Sequence, residues 1–231
     1  MVTRPNSRPA AVGVPVNGGP PPREDIVRAL PDYELRSPPD GSAEMPVMVG
    51  HMAVWDEWAV IDSTWEGLFL ERVARGAFAK TLAENRGIKC LFQHGRDPSI
   101  GSKVLGSPSV LREDDKGAYF EVGLLPTSYN EELLPGLRAG LYGMSFRFSV
   151  LQDEYIQHPK RSAHNPRGLP ERTLTEVKVR EFGPCTFGAY EGAGAAIRSL
   201  TDEFVLGRLA EEPDRLQALV ARTGYVVPRA P

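Results

Sequence analysis

Three stretches of the chain hold side chains that together could carry out nucleophilic chemistry. In LFQHGRDP, His94 stands at the end of an apolar run, just before a Gly-Arg-Asp-Pro loop. In GLYGMSFRFSV, Ser145 follows Gly143 by two positions, where helical periodicity gives way to strand alternation. In TLTEVKVREFGPCTF, Glu181 continues the alternating row of Thr175, Val177 and Val179, a place where a carboxylate needs a hydrogen-bonding partner or a wet rim. A hydroxyl, an imidazole and a carboxylate are the parts of an activated nucleophile: one attacks, one takes its proton, one orients the base.

Each residue also has an ordinary reading by itself. A histidine at the rim of an apolar face is commonly a structural hydrogen-bonding group, a lone strand serine is commonly a solvated one, and a strand-end glutamate can simply reach water. The serine is not in the G-x-S-x-G elbow, which places glycine on both sides of a strand-to-helix turn. Glu176 sits with Lys178 and Arg180 on a charged face. The four histidines, His51, His94, His158 and His164, show no i, i+4 pairing and no neighbouring Cys pair, so no zinc site and no cofactor is implied. The two cysteines, Cys90 and Cys185, lie among apolar residues and read as small hydrophobes rather than a disulfide or a nucleophile.

The elements that would position these side chains follow from periodicity. PVMVGHMAVWDEWAVID alternates as two strands, or a strand and a loop, and LFLERVARGAFAKTLAEN passes from strand to a short helix at Gly76. IKCLFQH reads as a strand with Ile88, Cys90, Phe92 and His94 on one face. SVLRE and AYFEVGLL form a hairpin across DDKG, and SYNEELLPGLRAGL has helical spacing despite Pro135. GMSFRFSVLQDEYI is a strand with Met144, Phe146, Phe148 and Val150 on one face and Ser145, Arg147 and Ser149 on the other. QHPKRSAHNPRGLP is a loop, and RTLTEVKVREFGP is the last long strand.

Many short strands with about three helices and no β-α alternation argue against a doubly wound sheet. The expected fold class is α+β, a mainly antiparallel β-barrel with peripheral helices. Residues 1–45 are rich in Pro and Gly, with EDIVRALPDYEL their one amphipathic stretch, and read as a disordered tail. The globular domain is expected at 46–200, with a helical tail at 201–231. Across 231 residues, 41% are hydrophobic, 25% are charged and the net charge is −3, so no nucleic-acid surface is indicated. No run approaches the length of a membrane span.

Taken in order, these segments resemble the prohead (capsid maturation) proteases of tailed phages, distant relatives of the herpesvirus assembly proteases. The resemblance runs from Val49 to Leu200. It is carried by GHMAVWDEW, by Glu71 ahead of Gly76-Ala77-Phe78, by the strand-end His94, by Gly143-x-Ser145-Phe146-x-Phe148, and by LTEVKVREFGPCTFGAY. It implies a herpesvirus-protease-like barrel and serine endopeptidase activity, with His94 as general base, Ser145 as nucleophile and Glu181 as third member. Glu176, His158 and His164 remain alternatives for that third place, and Arg147 and Arg180 are candidates for charge stabilisation. It also implies the major capsid protein and its scaffold segment as protein substrates, self-cleavage, and action in the prohead interior within the host cytoplasm. Oligomeric state stays open, a homo-oligomer included. The competing classes are a catalytically silent assembly or scaffolding protein on the same barrel and a small-molecule esterase.

Overall fold

Period-two alternation in the sequence becomes two β-sheets that share one core. The computed structural model describes residues 19–30, 33–37, 44–84, 87–186, 198–210 and 214. In chain order the elements are β1 (Ile26–Leu30), β2 (Tyr33–Arg36), β3 (Val47–Val54), β4 (Ala59–Ser63), β5 (Gly67–Val73), α1 (Ala79–Glu84), β6 (Lys89–Leu91), β7 (Val104–Gly106), β8 (Pro108–Glu113) and β9 (Gly117–Gly123). They continue with α2 (Ser128–Arg138), β10 (Gly143–Ile156), β11 (Glu171–Cys185), β12 (Arg198–Ser199) and α3 (Thr201–Ala210).

Among the described residues the larger sheet has eight strands and runs β12-β1-β10-β11-β5-β4, with β6 paired to β11 and to β7. The smaller has four, in the order β2-β3-β9-β8. Ala118, Phe120 and Val122 of β9 face Phe146, Phe148 and Phe182 of the larger sheet across a core that all of them help bury. Fully burying a phenylalanine of this kind contributes roughly 1.5–3 kcal/mol. No helix among the described residues is long and apolar enough to cross a membrane.

The expected barrel does not form. Among the described residues neither sheet closes on itself: the larger one ends at β12 on one side and β4 on the other. What joins those two ends is a side chain rather than a ladder. Asp202, at the start of α3, accepts hydrogen bonds from Ser63 Oγ (2.9 Å), Thr64 N (2.7 Å) and Trp65 N (2.9 Å) in the turn after β4. A strand such as β12, only two residues long, offers too few backbone groups to complete a barrel seam.

The tail expected over residues 1–45 also differs, because EDIVRALPDYEL supplies both β1 and β2. β1 pairs antiparallel with the serine-bearing strand, Ala29 opposite Ser145. The stretch reads as amphipathic, with Arg28 in the middle of its apolar residues. That guanidinium is buried against two carboxylates, at 2.6 Å from Glu66 and 2.7 Å from Glu71. Tertiary pairing supplies here what local composition could not. At the other end, α3 packs into the fold through buried Thr201 and Phe204 rather than standing apart. The remainder of the 201–231 tail, Asp214 excepted, and residues 1–18 lie outside the described residues.

Candidate active site

Ser145 lies on β10, and the strand's alternation is as expected: Met144, Phe146, Phe148 and Val150 join the core. Ser145, Arg147 and Ser149 occupy the opposite face, where Ser145 and Ser149 are buried, Ser145 at 2% exposure, and Arg147 is half-buried. β1 and β11 flank β10 on its two sides, and a second apolar group made of Val27, Ala29, Cys185, Leu200 and Phe204 covers this side of the sheet.

Glu181 reaches the same face by a route that strict alternation misses. Phe148 pairs with Val179 and Arg147 pairs with Glu181, so Arg180 is the extra residue of a β-bulge. The bulge reverses the phase: Val179 and Phe182 both enter the core, and Glu181 leaves the apolar row to stand beside Ser145 and opposite Arg147. Without it, Glu181 would point into the core.

His94 is not on a strand. β6 ends at Leu91, and Phe92–Gly95 form a tight turn in which Gln93 (φ 49°), His94 (φ 56°) and Gly95 (φ 73°) are all left-handed. Two consecutive non-glycine residues in this region cost on the order of 1–2 kcal/mol each. Tertiary contacts hold them there. Glu181 and Phe182 pair with Lys89 and Cys90, and the backbone of Leu91 then passes directly over Gly183. The Gln93 side-chain amide donates to Thr186 Oγ1 at the end of β11. Phe204 of α3 meets the imidazole edge-on, with centroids 5.7 Å apart.

The result is a chain of two hydrogen bonds. His94 Nδ1 is 2.8 Å from Glu181 Oε1, and His94 Nε2 is 2.8 Å from Ser145 Oγ. An ionised carboxylate can only accept, so Nδ1 carries the proton and donates it to Glu181. This leaves Nε2 as the acceptor for the serine hydroxyl. That is the tautomer a general base requires. A cavity of about 260 Å³ opens beside the imidazole, lined by Gln93, His94, Arg96, Cys185, Leu200 and Phe204 among others.

The other candidates are held elsewhere. Glu176 pairs with Lys80 at 3.0 Å and accepts from Gln152 at 2.9 Å. His164 stacks on Trp58 at 5.0 Å and pairs with Glu171 at 3.0 Å, while His158 lies exposed in the loop between β10 and β11. His51 pairs with Asp114. Arg180 points to Ser149 and Glu24, leaving Arg147 as the cation beside Glu181. Burial, with the Glu181 charge behind it, pushes the Cys90 thiol far above its ordinary value, which keeps it out of the chemistry. Gln93 and Phe204 are not singled out by sequence. Gly183, with Pro184, reads there as the close of the last long strand, whereas β11 runs through both to Cys185.

No curated protein matches the chain. Among solved structures, the bacteriophage T4 capsid assembly protease gp21 is similar at 9% identity and a TM-score of 0.44, over 70% of this chain and 96% of that one. The family model of the caudovirus prohead serine protease matches residues 31–204, a span that holds β2 through the first turn of α3 and all three residues of the hydrogen-bonded chain. The protein belongs to the caudovirus prohead serine protease family.

Proposed function

We propose that this chain is a working serine endopeptidase that processes capsid or scaffold protein during prohead maturation. The observation that supports it most directly is the pair of 2.8 Å hydrogen bonds meeting on His94. As Ser145 Oγ attacks the scissile carbonyl, its proton passes to His94 Nε2 and the carbonyl π electrons move to oxygen. Glu181 holds the ring in register and offsets the charge of the imidazolium. Collapse of the tetrahedral species breaks the C–N bond, and His94 returns the proton to the leaving amine. A water then repeats the sequence on the acyl-enzyme and restores Ser145.

Membership of the family favours phage capsid-related proteins as substrates and the prohead interior as the place of action. Self-trimming belongs to the same proposal, with the chain's own terminal sequences as the substrate. The test is co-expression with the cognate major capsid protein, beside Ser145→Ala, followed by intact-mass analysis of both proteins. Shortened capsid protein and shortened protease only with the serine present is the expected result. Identical masses in both preparations would favour the silent assembly protein.

A further inference from the structure

His94 shares Glu181 with a second partner, Arg147. The two strands place Arg147 and Glu181 opposite each other on the face that carries Ser145. Arg147 Nε lies 3.2 Å from Glu181 Oε1, the oxygen that receives the His94 N–H. The contact is one of charge rather than an aligned hydrogen bond. Arg147 Nε and Glu181 Oε2 are each buried without a hydrogen-bond partner among the described residues. Unmatched buried polar atoms cost on the order of 1–3 kcal/mol apiece, so this arrangement persists only because opposite charges attract strongly out of water.

The rest of the guanidinium is braced. Its Nη1 is 3.3 Å from Asp25 Oδ1, and its Cζ lies 5.1 Å from the centroid of Phe204, the ring that packs edge-on against His94. Arg147 therefore touches both groups that fix the imidazole, the carboxylate at Nδ1 and the phenyl ring beside it. A planar guanidinium suits this place better than an ammonium, because it can face a carboxylate and a ring at once.

We propose that Arg147 is a positioning residue, holding the Glu181 carboxylate in the orientation that receives the His94 N–H. The inference rests on the reading of Ser145 and His94 as nucleophile and base. The other charged groups around it are Asp25 on the far side of the guanidinium, and Arg96, Asp97 and Glu203 around the cavity beyond His94. Substituting Arg147 also releases Asp25, so Arg147→Lys, which keeps a positive charge beside both carboxylates, is the control for the pH dependence.

The experiment follows covalent labelling of Ser145 by a small fluorophosphonate across the neutral pH range, using the full chain and its Arg147→Gln, Arg147→Lys and Ser145→Ala variants. With Arg147→Gln, labelling should slow about 10–100-fold at neutral pH, the cost of a slightly misplaced base. Its acid limb should also move to higher pH, because a positive charge beside the Glu181–His94 pair is gone. Arg147→Lys should keep the wild-type limb and recover part of the rate. Wild-type rates in Arg147→Gln, or an equal slowing in both variants at every pH, would overturn the proposal while leaving the nucleophile assignment standing. If Arg147→Gln melts below the assay temperature, Arg147→Lys decides: several-fold slower labelling supports the role and unchanged labelling overturns it. Wild type labelling no faster than Ser145→Ala would instead sink the nucleophile assignment, and this inference with it.

Discussion

The α-carbon of Gly183 lies so close beneath Leu91 that an added Cβ would stand 1.9 Å from the Leu91 carbonyl oxygen and 2.9 Å from its nitrogen. Both contacts are with backbone, so no side-chain rotation relieves them. Gly183 is also the cross-strand partner of Ser145, and Leu91 leads directly into the turn that carries His94. One glycine thus sets the distance between Ser145 and His94. Gly183→Ala should lower stability by about 1–3 kcal/mol through overpacking and reduce Ser145 labelling by about 100-fold or more. Thermal melting and labelling rate measure the two effects separately. A variant with wild-type values for both would show that the crossing is not what places His94.

The two glutamates of β11 should behave oppositely. Glu181→Gln keeps the shape but replaces the carboxylate that fixes the His94 tautomer, and the rate of peptide cleavage should fall by about 10²–10⁴. Glu176→Gln removes a surface pair with Lys80 and should change activity little and stability by less than about 0.5 kcal/mol. Steady-state rates on a capsid-derived peptide distinguish them; equal losses would return the third place in the site to dispute.

Arg28 anchors β1 through buried contacts with Glu66 and Glu71. Burial works against its charge, yet the two carboxylates outweigh this and raise it above the ordinary arginine value. Arg28→Met should cost about 3–5 kcal/mol, because it removes the cation from buried Glu66 and one of the two cations, Arg28 and Arg172, that face buried Glu71. Chemical denaturation is the check, and a loss under about 1 kcal/mol would mean that water and the existing Arg172 contact suffice for the two carboxylates.

Asp114 gives the fold a dependence on acid. Burial would raise its carboxyl, but N–H bonds from Gly117 and Lys116 and the contact with His51 outweigh it and hold the group below its ordinary value. A carboxylate depressed on folding stabilises the native state fully above its ordinary pKa of about 3.9, and that contribution is lost as pH falls through the lower folded value. Asp114→Asn should therefore melt below wild type at neutral pH, by an amount equivalent to about 1 kcal/mol, with the gap closing as pH drops below the carboxylate range. A gap that is constant with pH would contradict this account.

Much of the architecture was legible. β10 could be read to its ends, and the β8–β9 hairpin nearly so, because alternation and turn residues agree there. Of the site, the residue types and their order were readable, but two of the reasons offered for them were not the operative ones. Glu181 was expected on the apolar row, whereas the bulge at Arg180 turns it away from that row, and a bulge depends on cross-strand pairing. His94 was expected at the end of a strand, whereas contacts from Gly183 and Thr186, about ninety residues later in the chain, curl that strand end into a left-handed turn. β1 is not legible because Arg28 makes a buried strand look like a short amphipathic stretch of a tail until its carboxylates are in place. Phe204 lay in a segment expected to stand apart, and only the folded chain brings it against His94.

The central claim is that His94 activates Ser145, and intact-mass analysis after brief exposure to a small fluorophosphonate tests it most directly. The account predicts one adduct, mapping to the peptide that contains Ser145, which is lost in Ser145→Ala and at least about 10²-fold slower to form in His94→Ala. An adduct that forms at the same rate without the imidazole, or that maps to another residue, would contradict it.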